Sequence, residues 1–179
     1  MRALVPVMVA LALSGCTAGG ALRPPERAAP VEEFAMPETP QDAVAPRHAE
    51  VAGAAGPLAL SIWSPQAPPK AVILALHGFG DYGPSTYDAA ARAWAERGIL
   101  TWAYDQRGFG RNPSRGFWPG AGALAADLRV VAAAVRAAHP CVPLVVVGHS
   151  MGAGVALAAA PGLRAEGLVL AAPAIWGGE

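Results

Sequence analysis

Gly148-His149-Ser150-Met151-Gly152 is the stretch that decides the fold, because an apolar run precedes it and a run of small residues follows it. Residues 143–147 are mostly β-branched and apolar, which is typical of a central parallel strand covered on both faces. Residues 153–160 predict a tightly packed helix. A serine on a sharp turn between a strand and a helix has a strained backbone, and the residues two before and two after it must be nearly free of side chain. Glycine meets that requirement at both positions.

This arrangement predicts that Ser150 is a nucleophile. A helix that begins directly after it directs backbone N–H donors at the position where an oxyanion develops. A second apolar run, at 71–76, leads into the glycine-rich loop His77-Gly78-Phe79-Gly80-Asp81, and loops of this kind supply another oxyanion donor. We therefore expect the N–H groups of Phe79 and Met151 to form an oxyanion hole. The alternative is that the loop is a plain tight turn that closes a strand.

Three motifs together resemble the α/β-hydrolase family, and within it the monoacylglycerol lipase and lysophospholipase branch of serine aminopeptidase S33 type. They are the loop at 77–81, the segment Tyr104-Asp105-Gln106-Arg107-Gly108-Phe109-Gly110, and the stretch at 148–152. They stand in the family's order, and the resemblance covers residues 48–179. It implies a serine hydrolase of ester bonds with the nucleophile and oxyanion donors named above. The residues expected to shape that site are His77, Gly78, Gly80, Gly148, His149 and Gly152.

None of the four histidines is expected to act as the base. The family's triad runs in the order serine, then acid, then histidine, yet no histidine follows Ser150 and the only later acids are Glu166 and Glu179. We expect structural roles for all four. His48 lies at the start of the ordered region, His77 in the oxyanion loop and His139 at the end of a helix. His149 is expected to pack and hydrogen-bond beside the nucleophile.

The apolar runs predict six strands, at about 48–53, 57–64, 71–76, 99–104, 143–148 and 167–172. The family normally has eight, with a lid after the sixth and the catalytic acid and histidine after the seventh and eighth. We therefore expect a partial α/β-hydrolase fold, with a mostly parallel, doubly wound sheet that lacks the lid and the last two strands. A C-terminally truncated chain is the simplest interpretation. Its last strand would be an apolar, unpaired edge.

Two helices are predicted between the strands. Ser85-Thr86-Tyr87-Asp88 suggests a capping box for the first, and Gly98 supplies its stop. The second has apolar residues at spacings of four, three and four, with Asp127 mostly off that face: they are Leu124, Leu128, Val131 and Val135. Strands that alternate with helices predict a parallel sheet with right-handed crossovers. Asp105 and Arg107, just past a strand end, are expected to shape a turn.

The N-terminus predicts a lipoprotein signal peptide at residues 1–15. Arg2 precedes an apolar run at 3–13 that is too short for a bilayer span of about 20 residues. Leu13-Ser14-Gly15-Cys16 resembles the lipobox of bacterial lipoproteins. The resemblance implies that Cys16 carries the lipid and anchors the protein in the cell envelope. It also permits transfer of the lipoprotein to the periplasmic face of the outer membrane. The alternative is an ordinary cleaved signal with an incidental cysteine. Residues 16–47 predict a Pro- and Ala-rich tether, and 48–179 the catalytic domain.

Composition narrows the function further. The 13 basic and 13 acidic residues give a formal net charge of zero, and no basic patch interleaves with aromatic residues, so nucleic-acid binding is not expected. The histidines are scattered and Cys-x-x-Cys does not occur, so no metal or cofactor is expected. We expect a lipid-anchored serine esterase or lipase acting on a small acyl ester or lipid, its acid and histidine absent from this chain. The alternatives are a non-catalytic envelope lipoprotein with a degenerate hydrolase fold used as a binding module, and an acyltransferase or peptidase on the same scaffold.

Overall fold

Short apolar runs and longer helical segments alternate through residues 45–175, which are the residues that the computed structural model describes. In chain order the elements are β1 (Arg47–Gly53), β2 (Gly56–Trp63), β3 (Ala71–Leu76), α1 (Gly83–Glu96), β4 (Ile99–Tyr104), α2 (Ala121–Ala138), β5 (Leu144–His149), α3 (Met151–Ala159) and β6 (Gly167–Ala171). The six strands predicted from the apolar runs are therefore confirmed. The strand runs are short and rich in β-branched residues, which favours extended backbone over helix.

The six strands form one sheet in the order β1-β2-β4-β3-β5-β6. The pairs β1–β2 and β2–β4 are antiparallel, and the pairs β3–β4, β3–β5 and β5–β6 are parallel. The chain moves from β3 to β4 in one direction and then back past β3 to β5. Ligands in open α/β sheets bind at such a reversal, beyond the carboxyl ends of the strands. This confirms the mostly parallel α/β fold and directs attention to the ends of β3 and β5.

Apolar side chains cover both faces of the sheet. On one face, Tyr87 and Ala91 of α1 pack with Trp63, Ile73 and Ala103. On the other face, α2 and α3 pack against the inner residues of the strands in a larger cluster. Its α2 members include all four apolar residues predicted for that helix: Leu124, Leu128, Val131 and Val135. The sheet is thus doubly wound, with helices on both faces.

The predicted capping box of α1 is wrong. The helix begins at Gly83, two residues before Ser85, with a proline in its first turn, and the residue at the N-cap, Tyr82, makes no side-chain capping bond. The N–H of Gly83, at the first position of the helix, donates instead to the carboxylate of Asp105 at 2.9 Å. The carboxylate of Asp81 accepts hydrogen bonds from the N–H of Tyr82 at 2.9 Å and from Oγ1 of Thr86 at 2.7 Å. A proline in the first turn is favoured because it has no N–H to leave unpaired.

The expectation that Asp127 lies mostly off the buried face of α2 is also wrong. Its side chain is only 1% exposed and forms a two-point ion pair with Arg107, with nitrogen–oxygen distances of 2.9 and 2.8 Å. The same carboxylate accepts the N–H of Ala54 at 2.7 Å, and Arg107 donates to the carbonyl oxygen of Ala55 at 2.9 Å. A buried carboxylate is tolerated when its lone pairs are satisfied in this way. The pair connects α2 to the β1–β2 turn.

Within residues 45–175, no helix is both long enough and apolar enough to cross a membrane. The predicted signal peptide at 1–15, Cys16 and most of the predicted tether at 16–47 lie outside the described residues. In the part of the chain that the structure describes, β6 pairs with β5 alone and forms one edge of the sheet.

Candidate active site

Ser150 lies at the junction between β5 and α3 in a backbone conformation that few L-residues adopt. Its φ is 52° and its ψ is −115°. Its N–H donates to the carbonyl oxygen of Ala171 at 2.9 Å, and its own carbonyl accepts from the N–H groups of Ala153, Gly154 and Ala174 at 3.0–3.1 Å. Such strain costs about 1–3 kcal/mol and persists only where the surroundings hold it. Four backbone hydrogen bonds hold it here.

The glycines on either side of Ser150 are required by close backbone contacts. A Cβ atom added to Gly148 would lie 2.6 Å from the Cα and N atoms of Ala153. A Cβ atom added to Gly152 would lie 2.3 Å from the carbonyl oxygen of Leu76 and 2.6 Å from that of His77. Backbone atoms cannot turn aside as flexible side chains can, so any larger residue forces the turn apart. The contact at Gly152 also packs the start of α3 directly against the end of β3.

The glycine-rich loop after β3 lies beside the serine turn. Leu76 and Gly148 are partners in the β3–β5 register, and a Cβ atom on Gly78 would lie 3.5 Å from Cβ of Ser150. The N–H of Met151, at the first position of α3, has no acceptor within the helix, because the first four N–H groups of a helix lack intrahelical partners. The loop that carries Phe79 and the helix that begins at Met151 therefore meet next to the serine.

His77 is buried at the end of β3 and both of its ring nitrogens are in use. Nε2 accepts the N–H of Gln106 at 2.8 Å, so Nδ1 carries the proton and donates to the carbonyl oxygen of Gly78 at 2.7 Å. Burial lowers the pKa of His77 and outweighs the opposing effects of the Gly78 carbonyl, Asp105 and Asp81. The ring is therefore neutral near pH 7 and has no free nitrogen with which to accept a serine proton.

The hydrogen bond from His77 also sets the direction of a neighbouring N–H. The carbonyl of Gly78 and the N–H of Phe79 belong to one planar trans peptide and point in opposite directions. The N–H of Asp81 donates to the same carbonyl at 3.4 Å. Fixing the oxygen of this peptide on one side thus directs the N–H of Phe79 to the other.

The remaining histidines make no hydrogen bond to Ser150 within residues 45–175. His149 is exposed, and its Nδ1 lies 3.2 Å from the position of a Cβ atom on Gly78. It packs beside the turn as expected, but the hydrogen bonding expected of it is not found among the described residues. His48, on the edge strand β1, accepts from Nη1 of Arg111 at 2.8 Å. His139 ends α2, near the start of β5, and its ring meets Trp102 edge-on at 6.2 Å.

A cavity of about 650 Å³ opens next to the glycine-rich loop. Its walls come from the loop after β3 and from the long connection between β4 and α2. They include five aromatic side chains, with Arg111 and Arg115 also in the lining: Phe79, Tyr82, Phe109, Phe117 and Trp118. Phe79 is 73% exposed and Phe117 is 79% exposed. Phe117 and Trp118 were not predicted as site residues, although two adjacent aromatic residues in a loop beyond the end of a strand are typical of a ligand pocket.

Asp105 holds two of the residues that line this cavity, Gly110 and Arg111. Its buried carboxylate accepts the N–H of Gly83 at 2.9 Å, and the N–H and Nε of Arg111, both at 2.8 Å. A Cβ atom on Gly110, whose φ is +60°, would lie 2.4 Å from that carboxylate. Asp105 and Arg107 both make structural contacts. No group of three or more His, Cys, Asp and Glu residues within 45–175 is arranged to hold a metal ion.

The sheet order, with a strained serine between β5 and α3, defines an α/β-hydrolase fold. The family model described as serine aminopeptidase S33 matches residues 67–179. The chain belongs to this family.

Known proteins of similar sequence and structure agree with that assignment. A monoacylglycerol lipase of Mycolicibacterium smegmatis is 31% identical over 119 residues, which cover 64% of this chain and 41% of that protein. A monoglyceride lipase homologue of monkeypox virus is 32% identical over 99 residues, which cover 55% of this chain and 36% of the viral protein. The crystal structure of a lidless α/β serine hydrolase from Xanthomonas campestris superimposes with a TM-score of 0.60 at 29% identity, covering 69% of this chain and 59% of that one. The chain thus spans less than half the length of these two curated relatives.

Proposed function

We propose that this protein is a serine hydrolase that cleaves carboxylic esters through an acyl-enzyme on Ser150. The observation that carries the proposal is the strained turn at this serine, fixed by backbone contacts at Gly148 and Gly152 and lying beside the Gly78 loop. Strain of this kind is concentrated at functional sites. A serine with a purely structural role has no need of it.

In the proposed reaction, Oγ of Ser150 attacks the ester carbonyl while a histidine takes its proton. The N–H groups of Phe79 and Met151 hold the oxyanion, the alcohol leaves with the proton from that histidine, and water then releases the acid. The two nitrogens of His77 are already bonded, so it cannot be the base. The proposal therefore assigns the base to a histidine other than His77, oriented by a carboxylate.

We propose monoacylglycerol-like or lysophospholipid-like esters as substrates. The apolar, aromatic cavity beside the Phe79 loop suits the hydrocarbon part of such a molecule. Two relatives described as a monoacylglycerol lipase and a monoglyceride lipase homologue support the same substrate class.

Ester hydrolysis by the full-length protein tests the catalytic proposal. Wild type, Ser150→Ala and the control Ser64→Ala, which changes an exposed serine after β2, are compared on short and long p-nitrophenyl esters. Ser150→Ala is expected to lose at least about 10³-fold in kcat/KM, because only the oxyanion donors and binding remain. Ser64→Ala is expected to match wild type. Equal turnover by wild type and Ser150→Ala would remove this serine from the mechanism.

We also propose that the protein is anchored in the bacterial cell envelope, with lipid on Cys16. The support is the resemblance of residues 13–16 to a lipobox, and two or three acyl chains together would give stable anchoring. Incorporation of labelled palmitate is expected in wild type and in the control Cys141→Ser, which alters the exposed free cysteine. Incorporation is expected to vanish in Cys16→Ser, and its survival there would contradict the proposal.

A non-catalytic binding module is the second candidate. It is favoured by one observation: no histidine within 45–175 donates to or accepts from the side chain of Ser150. This candidate predicts that wild type and Ser150→Ala bind a lipid ester equally and that neither hydrolyses it.

A further inference from the structure

The proposed oxyanion donor Phe79 lies between two glycines. Gly78 and Gly80 carry no side chains, and Gly80 has a φ of +76°, with nothing within 4 Å of its Cβ position. Peptides next to glycine reorient easily, because glycine populates both halves of the φ range. The peptide that carries the N–H of Phe79 pivots on the Cα atoms of Gly78 and Phe79. The ring of Phe79 is therefore the only side chain through which the surroundings can hold the second pivot.

Two aromatic neighbours contact that ring, which is otherwise 73% exposed. Phe109 meets it edge-on, with ring centres 5.2 Å apart, and Trp118 meets it at a tilt at 6.2 Å. Phe109 in turn contacts Trp118 at 6.4 Å and the buried ring of His77 at 5.8 Å. These ring contacts thus connect His77 at the end of β3 with Trp118 in the connection between β4 and α2. Pairs with this geometry are favourable beyond their buried area.

The segment that carries Trp118 is itself tied down by backbone contacts. The N–H of Gly116 donates to the carbonyl oxygen of Gly108 at 2.9 Å, and the N–H of Gly108 donates to Oγ of Ser114 at 3.0 Å. A Cβ atom on Gly108 would lie 2.1 Å from the carbonyl oxygen of Phe117. The backbone that leads into Trp118 is therefore held in place, and the Trp118 ring, which is 58% exposed, contacts Phe79 from this segment.

We propose that Phe109 and Trp118 are positioning residues for catalysis: through their contacts with the ring of Phe79 they fix the direction in which its N–H points. This inference rests on the proposed function, and it assigns to the cavity wall a role beyond contact with substrate. His77 holds the peptide through the carbonyl of Gly78, and the aromatic rings hold its other end. An oxyanion hole loses effect steeply when a donor is displaced, because the donor must already be in place when charge develops.

The test separates positioning from contact with substrate by the length of the ester. An acetyl ester is too small to fill a 650 Å³ cavity, so a residue that only lines the wall should not affect its turnover. In the full-length protein, Trp118→Ala is expected to lower kcat on p-nitrophenyl acetate by about tenfold with KM nearly unchanged. Trp118→Phe keeps a ring against Phe79 and is expected to restore most of that loss.

Val130→Ala is the control, because Val130 is an exposed apolar residue on α2 that does not line the cavity. It is expected to leave the turnover of both the acetyl ester and a long-chain ester unchanged. Circular dichroism and thermal melting confirm that each variant is folded, and Trp118→Leu replaces Trp118→Ala if the latter does not fold. Acetate kcat in the folded variant equal to that of wild type, with losses confined to long esters, would overturn the positioning role. Wild-type turnover that survives Ser150→Ala would instead overturn the proposed function itself.

Discussion

Replacing Gly152 by alanine tests the steric account of the serine turn. The new methyl carbon would lie 2.3 Å from the carbonyl oxygen of Leu76 and 2.6 Å from that of His77, whereas favourable contacts begin near about 3.5 Å. Both oxygens belong to the end of β3, and this strand is paired on both sides, with β4 and β5. The obstacle cannot rotate away, so α3 must move outward from the strand.

The size of the effect follows from two opposing contributions. Overpacking costs typically about 1–3 kcal/mol, and rigid backbone on both sides puts this position at the upper end. Alanine regains about 1 kcal/mol over glycine in a helix. We therefore predict a net loss of about 2 kcal/mol in the free energy of unfolding. Displacement of α3 also moves the N–H of Met151, so kcat should fall by about 10²-fold.

Urea denaturation followed by circular dichroism measures the loss of stability. The control is Gly122→Ala in the first turn of α2, where a Cβ atom would meet nothing within 4 Å. It is expected to be neutral or to stabilise by at most about 1 kcal/mol. A Gly152→Ala protein within about 0.5 kcal/mol of wild type, which is the usual range for neutral surface changes, would refute the steric argument.

Three further predictions concern the contacts around the site. Asp127→Asn should lower the free energy of unfolding in urea by about 3 kcal/mol, because it leaves Arg107 without its buried carboxylate; an unchanged urea midpoint would show that the pair is not stabilising. Tyr87→Phe should cost about 1 kcal/mol in the same assay, since the hydroxyl donates to the carbonyl oxygen of Leu76 at 2.9 Å; a more stable variant would contradict this. Because burial lowers the pKa of His77, the unfolded chain takes up this proton first, so stability should fall as pH drops below about 6.5, by up to about 1.4 kcal/mol per pH unit until the folded-state pKa is reached. Urea titrations on both sides of that pH measure the slope, and a slope that is unchanged in His77→Asn would assign it to other groups.

The strands and the serine turn were predictable because their signals are local. Six short apolar runs identified six strands. The glycines at 148 and 152 predicted that there is no room for a side chain there, and in the structure a Cβ atom at either position would collide with backbone atoms. Both kinds of signal lie within about ten residues along the chain.

The features that sequence analysis missed depend on partners distant in the chain. Asp127 appeared solvent-facing because its neighbours on α2 are uninformative, whereas its partners Arg107 and Ala54 lie 20 and 73 residues away. The first N–H of α1, that of Gly83, is accepted by Asp105, which lies 22 residues away. The aromatic contact between Phe79 and Trp118 joins two separate loops, and neither loop alone predicts it.

Mass spectrometry of the full-length protein after reaction with a fluorophosphonate tests the central claim most directly, namely that the strained serine at residue 150 is the group that becomes acylated. The account predicts a single covalent adduct on the peptide that contains Ser150, and no adduct in the Ser150→Ala variant. An adduct on a different serine, with Ser150 unmodified, would contradict it.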